Sequence, residues 1–170
     1  MRTTLKIGDK VVYPAHGVGE VEGIEKRDIS GHKQTFYVLR FTDSGMTVLV
    51  PTNNARDVGL REIIDAKQVN AVFRTLRNRA NKEPRVTWNR KHREYADKIK
   101  SGSIHEVADV FRELKTVSAN KELSFSERKM LDTVRNLLVS EIACAKDCAP
   151  EEIDVKLDKI FADLWQEGAA

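Results

Sequence analysis

The spacing of apolar residues changes once along the chain, near residues 62–65, and this change constrains the fold more than any other feature. Before it, apolar residues form short runs that end at turn formers, as at residues 10–13, which Pro14 follows. After it, they recur every three to four positions, beginning with Val69, Val72 and Phe73. Short bounded runs indicate strands, and a period near 3.6 indicates helices. The sequence therefore predicts a β domain followed by a helical domain.

The first part of the chain predicts a small β domain. Short strands are expected at residues 10–13, 18–25, 35–41 and 46–50, with a brief fifth strand near residues 58–61. A hairpin connection that contains Gly31 is expected at residues 28–33. Five short strands in about sixty residues are typical of an SH3-like or Tudor-like half-barrel.

The second part of the chain predicts five helices. The second helix is expected to run from Trp88 to Lys100, and the fifth to hold Pro150 in its first turn. Two capping boxes are predicted, Ser103 with Glu106 and Ser124 with Glu127. The fold class is thus α+β, with an N-terminal β half-barrel at residues 1–62 and a compact five-helix domain at residues 65–167.

The positive charge of the chain is concentrated in one window. The net charge is +3, but residues 77–100 carry nine Lys and Arg against three Asp and Glu, whereas residues 101–170 carry nine against fourteen. A local basic patch of this kind is typical of proteins that bind a polyanion. The alternative interpretation is a solvated basic surface.

Trp88 lies inside this basic window and has two possible placements. If Thr87 caps the second helix, Trp88 is the first helical residue and stands at an exposed tip. If the helix begins earlier, Trp88 shares a face with Tyr95 and Ile99 and belongs to the core. Pro84 and the cap preference of Thr87 favour the tip. An indole at the tip can wedge against a DNA base step while neighbouring cations hold phosphates.

Residues 47–51 predict a strand at the edge of the sheet. Val48 and Val50 share one face of this strand, and Leu49 lies on the other. Pro51 suits an edge position, because it cannot donate to a neighbouring strand. An exposed edge with an apolar residue can accept a partner's strand. The alternative is that both faces of the strand are covered.

Nothing in the sequence predicts catalysis or a bound metal. The four histidines, at positions 16, 32, 92 and 105, are scattered, and Cys144 and Cys148 have no partner ligands in zinc-site spacing. We expect two reduced cysteines, no cofactor and no enzymatic activity. No apolar run is long enough to span a bilayer, so we expect a cytoplasmic protein without a membrane partner.

Several stretches resemble the CarD/CdnL transcription regulators of bacteria. Residues 7–19, Ile-Gly-Asp-Lys-Val-Val-Tyr-Pro-Ala-His-Gly-Val-Gly, are similar to the opening signature of that family. Residues 47–51, the segment around Trp88 and residues 101–110 are similar to further family blocks in the same order. The resemblance covers essentially the whole chain.

The resemblance implies a mechanism with two contacts. The Tudor-like domain would bind the β subunit of RNA polymerase through residues that correspond to Arg27, Leu39, Thr47, Val48, Leu49 and Pro51. Some relatives carry arginine at the position of Leu49, so the contact there would be apolar in this chain. The helical domain would bind promoter DNA with residues that correspond to Arg85, Trp88, Arg90, Lys91 and Arg93.

The expected outcome is a longer-lived open complex at promoters of the housekeeping sigma factor. Trp88 would enter the minor groove at the upstream fork of the −10 region. The protein would act as a monomer and associate with the nucleoid through RNA polymerase. Two other interpretations stay open at this point: a protein–protein adaptor whose basic patch is only a solvated surface, and an RNA-binding module.

Overall fold

The computed structural model describes residues 4–78 and 87–168. The chain divides into two compact units, Met1–Ile63 and Ile64–Ala170. We call them the β unit and the helical unit. The described residues contain strands only in the first unit and α-helices only in the second, so the predicted α+β fold class is confirmed.

The β unit is a five-stranded antiparallel sheet with the order β4-β3-β2-β1-β5. Its strands are β1 Lys10–Tyr13, β2 Gly17–Ile29, β3 His32–Phe41, β4 Thr47–Pro51 and β5 Arg61–Glu62. Strands β2 and β3 form a longer hairpin than the sequence predicts, because its connection is a two-residue turn. Ser30 and Gly31 both have positive φ there, 54° and 83°, as a tight hairpin turn requires. The fifth strand begins later than expected.

One face of this sheet carries the core of the β unit. Val21 of β2 pairs with Leu39 of β3, and Tyr37 of β3 pairs with Val50 of β4. Cross-strand partners share a face, so these side chains pack together. The segment after β4 supplies Ala55 and Leu60 to the same cluster. The sheet is open rather than closed, so β4 and β5 are both edge strands.

The helical unit has five helices in its described residues. They are α1 Ala66–Arg77, α2 Trp88–Lys100, α3 Ile104–Asn120, α4 Phe125–Lys146 and α5 Pro150–Gly168. Their apolar faces meet in one buried cluster, with Phe111 and Phe161 in edge contact at 5.5 Å between ring centroids. Glu141 of α4 is buried and accepts a hydrogen bond from the backbone N–H of Ile64 at 3.3 Å. This bond ties the start of the unit to its longest helix.

The hydrogen bonds at the helix starts agree with the predicted capping boxes in one case and differ in another. The capping box of Ser124 and Glu127 at α4 is confirmed, and Asp65 with Gln68 forms another at α1. The box predicted for Ser103 with Glu106 is wrong. Instead, the Ser103 N–H donates to Oγ of Ser101 at 3.2 Å, so the preceding loop takes the amide that Glu106 was expected to bind.

Candidate functional site

Helix α2 begins where the sequence places it, with Thr87 as N-cap and Trp88 as the first helical residue. The carbonyl of Thr87 accepts from the N–H groups of Arg90 and Lys91, both at 3.1 Å. The Thr87 side chain forms no capping hydrogen bond, and the first turn carries no acidic residue. The backbone N–H groups of Trp88 and Asn89 therefore have no hydrogen-bond acceptor among the described residues, as is typical of a helix start that can bind an anion.

Trp88 occupies the tip and also contacts the core of the unit. Its ring lies 5.5 Å from His92 in an edge arrangement and 6.2 Å from Tyr95. Tyr95 is buried, and its hydroxyl donates to Glu113 at 2.7 Å. The indole is half-buried, so the two placements that the sequence left open are combined here. Packing on one side holds the ring while the other part stays accessible.

The cations of α2 differ in how far they are available to a ligand. Lys91 is largely covered; its Nζ lies 3.6 Å from Glu113 and 3.8 Å from Glu94, and 5.7 Å from the centre of the Tyr95 ring. Arg90 and Arg93 are exposed, and neither forms an ion pair with another described residue. Arg85 lies outside the described residues. The geometry therefore favours Arg90 and Arg93 over Lys91 as phosphate ligands.

Arg90 and Arg93 do not stand on the same side of the helix as the indole. At 100° per residue they lie roughly 140° to 200° around the axis from Trp88. Lys91, His92 and Tyr95 lie on the side of Trp88 instead. A ligand that touches both the indole and the guanidinium groups must therefore cross the end of the helix, as a nucleic-acid backbone of sufficient length can.

Strand β4 lies at an open edge of the sheet, as predicted. It pairs with β3 alone, from Arg40 opposite Thr47 to Phe36 opposite Pro51. Val50 is buried and Val48 packs against the core cluster, whereas Leu49 is half-buried on the opposite face. The outer edge of β4 is thus free, among the described residues, for a further strand.

The register places Arg27 on the same face as Leu49. Val38 is opposite Leu49, and alternation puts Gln34 on the face of Val38. Gln34 is the partner of Arg27 on β2. The exposed Arg27 guanidinium is held by Glu25 on the same strand, at 2.9 and 3.1 Å. This face combines a half-buried leucine with an exposed cation that pairs with Glu25.

Leu39, which was also expected to contact the partner, does not lie on this face. Its side chain is 0% exposed and lies in the core of the β unit opposite Val48. The residues that flank Leu49 on the correct face are Val38 and Phe36, which are 9% and 8% exposed. The sequence signal for them was the uninterrupted apolar run of β3, which is typical of a strand that is covered on both faces.

The described residues contain no group of three or more His, Cys, Asp or Glu side chains that could hold a metal ion. Cys144 and Cys148 do not form a disulfide, and both are half-buried. None of the described helices is both long and apolar enough to cross a membrane.

Two family models match the chain, in the order of its two units. Residues 5–64 match the CarD-like/TRCF RID domain, and residues 71–158 match the CarD C-terminal domain. The Bacillus subtilis (strain 168) protein named "Putative transcription factor YdeB" is 34% identical over 148 residues, which are 87% of this chain and 96% of that protein.

Two solved structures from Myxococcus xanthus are similar in sequence to about a third of this chain. CdnLNt is 55% identical, covers 38% of this chain and 90% of its own, and has a TM-score of 0.33. The 72-residue N-terminal domain of CarD is 38% identical, covers 34% of this chain and 77% of its own, and has a TM-score of 0.30.

Proposed function

Since both units match domains of one family in the right order, the chain belongs to the CarD/CdnL family, and we propose that it tethers RNA polymerase to promoter DNA. As a member of this family it is a transcription regulator and not an enzyme. The proposal has two contacts, one in each unit. The observation that carries it is the start of α2, where Trp88 is fixed at the tip and Arg90 and Arg93 are exposed.

In this proposal the β unit binds the β subunit of RNA polymerase along the edge of β4. The match to a RID domain supports an interaction with RNA polymerase. A strand of the polymerase would pair with the outer edge of Thr47–Pro51, and Leu49 would meet an apolar side chain of that strand. Arg27, on the same face, would contact an acidic group.

The helical unit would bind DNA at the upstream fork of the −10 region. Trp88 would enter the minor groove and stack on a partly unpaired base step, where stacking contributes about 1–3 kcal/mol per base. Arg90 and Arg93 would hold the phosphates, without reading base edges. Binding that requires an opened fork favours the open state, so the lifetime of the open complex increases.

The test compares variants of the full chain in an assay of open-complex lifetime with RNA polymerase and the housekeeping sigma factor. Trp88→Ala should shorten the lifetime about tenfold, because a loss of 1.4 kcal/mol corresponds to that factor. Trp165→Ala is the matched control, since Trp165 is the other tryptophan. Near-UV circular dichroism of each variant checks that the helical unit still packs, because Trp88 touches its core.

A second variant separates the two contacts. Leu49→Asp should abolish capture of RNA polymerase, whereas Trp88→Ala should leave it intact. Ile24→Asp adds the same charge at an exposed apolar residue on the other face of the sheet and should bind normally. If open complexes decay equally fast with and without the unmodified protein, the proposed function is wrong.

A further inference from the structure

A second group of cations in the helical unit surrounds the ring of Phe73. This ring is only 2% exposed, and three side chains from three helices lie against it. Nζ of Lys156 on α5 is 4.3 Å from the ring centre, Nζ of Lys146 on α4 is 5.9 Å away, and the Arg77 guanidinium on α1 is 6.0 Å away. Helix α2, with its candidate DNA contacts, contributes nothing to this group, which we call the Phe73 cation cluster.

The members of the Phe73 cation cluster repel one another. Burial is the main cause that lowers the pKa of Lys156, and the neighbouring charges of Lys146 and Arg77 lower this pKa further. Contact between two ammonium groups is unfavourable, because each disfavours the charged form of the other. The aromatic ring offsets only part of this cost, since one cation–π contact contributes about 0.5–1 kcal/mol at an exposed site.

Helix dipoles and local ion pairs do not account for the cluster. Arg77 and Lys146 lie in the last turns of their helices, where cations are stabilised, but Lys156 lies within α5. Glu152 stands one turn before Lys156, yet no described carboxylate forms an ion pair with any of the three cations. The cluster therefore holds positive charge that no described acidic group pairs with.

The surroundings restrict what such a cluster can bind. A groove of about 710 Å³ adjoins Arg77 and Lys156, and carboxylates also line it. These acidic side chains are Glu152, Asp163 and Glu167. These carboxylates would repel a polyanion that lay along the groove, so only a phosphate at the edge of such a ligand can reach the cations. The backbone of duplex DNA can present one, because its negative charges are carried on phosphates along the outside of each strand, about 3.4 Å apart along the helix axis.

We infer that Arg77, Lys146 and Lys156 form a second phosphate contact of the helical unit, which takes the backbone of duplex DNA. This inference rests on the proposed function, in which DNA reaches the same unit at Trp88. The phosphate would bind between the ammonium groups and remove their repulsion. Two separated contacts would fix the direction of the duplex on the unit, which a single helix tip cannot do.

The test measures the affinity of the full chain for a labelled mixed-sequence duplex by fluorescence anisotropy over a series of salt concentrations. The main variant is K146Q/K156M, in which the methionine keeps an apolar chain over Phe73. Its affinity at 0.1 M salt should fall roughly tenfold, and the slope of log affinity against log salt should become shallower by about 1.8 for two lost contacts. The variant K146R/K156R keeps the charges and should restore both values.

Two comparisons make the result specific. K6Q/K33Q removes the same charge from exposed positions of the β unit and should change the slope little. Thermal unfolding should show that K146Q/K156M is no less stable than the unmodified protein, since a repulsion has been removed. A clear fall in stability with an unchanged salt slope would mean that the cations only cover Phe73, and would overturn the inference.

The outcomes also separate this inference from the proposed function. If K146Q/K156M binds the duplex like K6Q/K33Q while Trp88→Ala shortens the open-complex lifetime, the second contact is absent and the proposed function stands. If K146Q/K156M binds the duplex normally and Trp88→Ala keeps the full open-complex lifetime, both are wrong. If a labelled acidic peptide of equal charge binds the unmodified protein but not K146Q/K156M, while both proteins bind the duplex equally, the cluster binds protein rather than DNA.

Discussion

The starts of α2 and α4 share one sequence pattern, and the structure gives them opposite properties. Each helix has a large aromatic residue at its first position, Trp88 or Phe125, and cations in the following turn. Phe125 is 77% exposed, whereas Trp88 is half-buried against Tyr95. The more exposed ring is thus not the one that the sequence selects as a DNA contact.

The difference lies in what occupies the backbone amides. At α4 the Glu127 N–H donates to Oγ of Ser124 at 3.2 Å, and the Glu127 carboxylate accepts from the Ser124 N–H at 2.8 Å. Lys121 donates to the same carboxylate at 3.1 Å. At α2 the Thr87 hydroxyl accepts no such bond, and no acid lies in the first turn.

An aromatic residue at a helix start is therefore not sufficient for a phosphate site. At α4 the carboxylate of Glu127 fills the place an anion would take and neutralises the positive end of the dipole. At α2 that place has no acidic side chain, and the packed indole needs little further ordering when it binds. A low ordering cost, together with the Trp88 and Asn89 amides that have no acceptor among the described residues, favours α2 over α4 as a ligand site.

The largest expected effect is on stability when the capping box of α4 is removed. Ser124→Ala/Glu127→Ala should lower the free energy of unfolding by about 2–3 kcal/mol, because a cap and a charged buried hydrogen bond are both lost. The melting temperature should fall by about 10 °C. Urea unfolding followed by the helical circular dichroism signal measures the change.

The control for this change is made at the other helix start. Thr87→Ala should alter the free energy of unfolding by less than about 0.5 kcal/mol, since no capping bond is lost. Equal destabilisation by the two changes would show that Thr87 caps α2 in solution, and the contrast between the two starts would then not hold.

The sequence predicted those features of the fold that depend on neighbouring residues. The bounds of α2 and the capping box at Ser124 follow from side-chain chemistry within four positions. The failed box at Ser103 depended on a competitor, the hydroxyl of Ser101, which reaches the same amide from the preceding loop. Two acceptors for one N–H cannot be ranked by pattern alone.

The candidate site was predictable in its position but not in its internal contacts. Charge counting found the basic window, but Lys91 is held by Glu113 of another helix, a contact between positions far apart in sequence. Leu39 was misplaced for a related reason. The residues of β3 that precede it, from Phe36 to Val38, are all apolar, so its face follows from the pairing register with β4, which no local pattern reveals.

A smaller effect is expected when pH, rather than mutation, weakens the cap of α4. Burial opposes ionisation of Glu127, yet hydrogen bonds from Ser124 and Lys121 outweigh it and hold its pKa below the ordinary value. Because the pKa of Glu127 is lower in the folded than in the unfolded protein, its charge stabilises the fold fully at pH values above the unfolded pKa of about 4.3. This stabilisation is lost as the pH falls through the folded pKa. At pH 7 the free energy of unfolding of the unmodified protein should exceed that of Glu127→Gln by about 1–2 kcal/mol.

The difference in free energy of unfolding between the two proteins should decrease steadily below about pH 4.3. Urea unfolding of both proteins at each pH measures it. A constant difference down to pH 2 would mean that the charge of Glu127 does not carry the stabilisation. Thr87→Ala, tested in the same series, should show no pH-dependent difference, because its helix start has no titrating cap.

A still smaller gain in stability than the pH effect, with a direct consequence for the open complex, is expected when α2 is made to resemble α4. Thr87→Asp supplies a capping carboxylate and should raise the free energy of unfolding by about 0.5–1 kcal/mol. The same carboxylate would occupy the first-turn amides and repel phosphate, so the open complex should decay several-fold faster.

Thr87→Asn separates the two effects, because asparagine caps a helix about as well as aspartate but carries no charge. Thr87→Asn should stabilise the helix and shorten the open-complex lifetime less than Thr87→Asp. If both variants keep the full lifetime, the amides of α2 do not contact phosphate, and Trp88 and the arginines act without them.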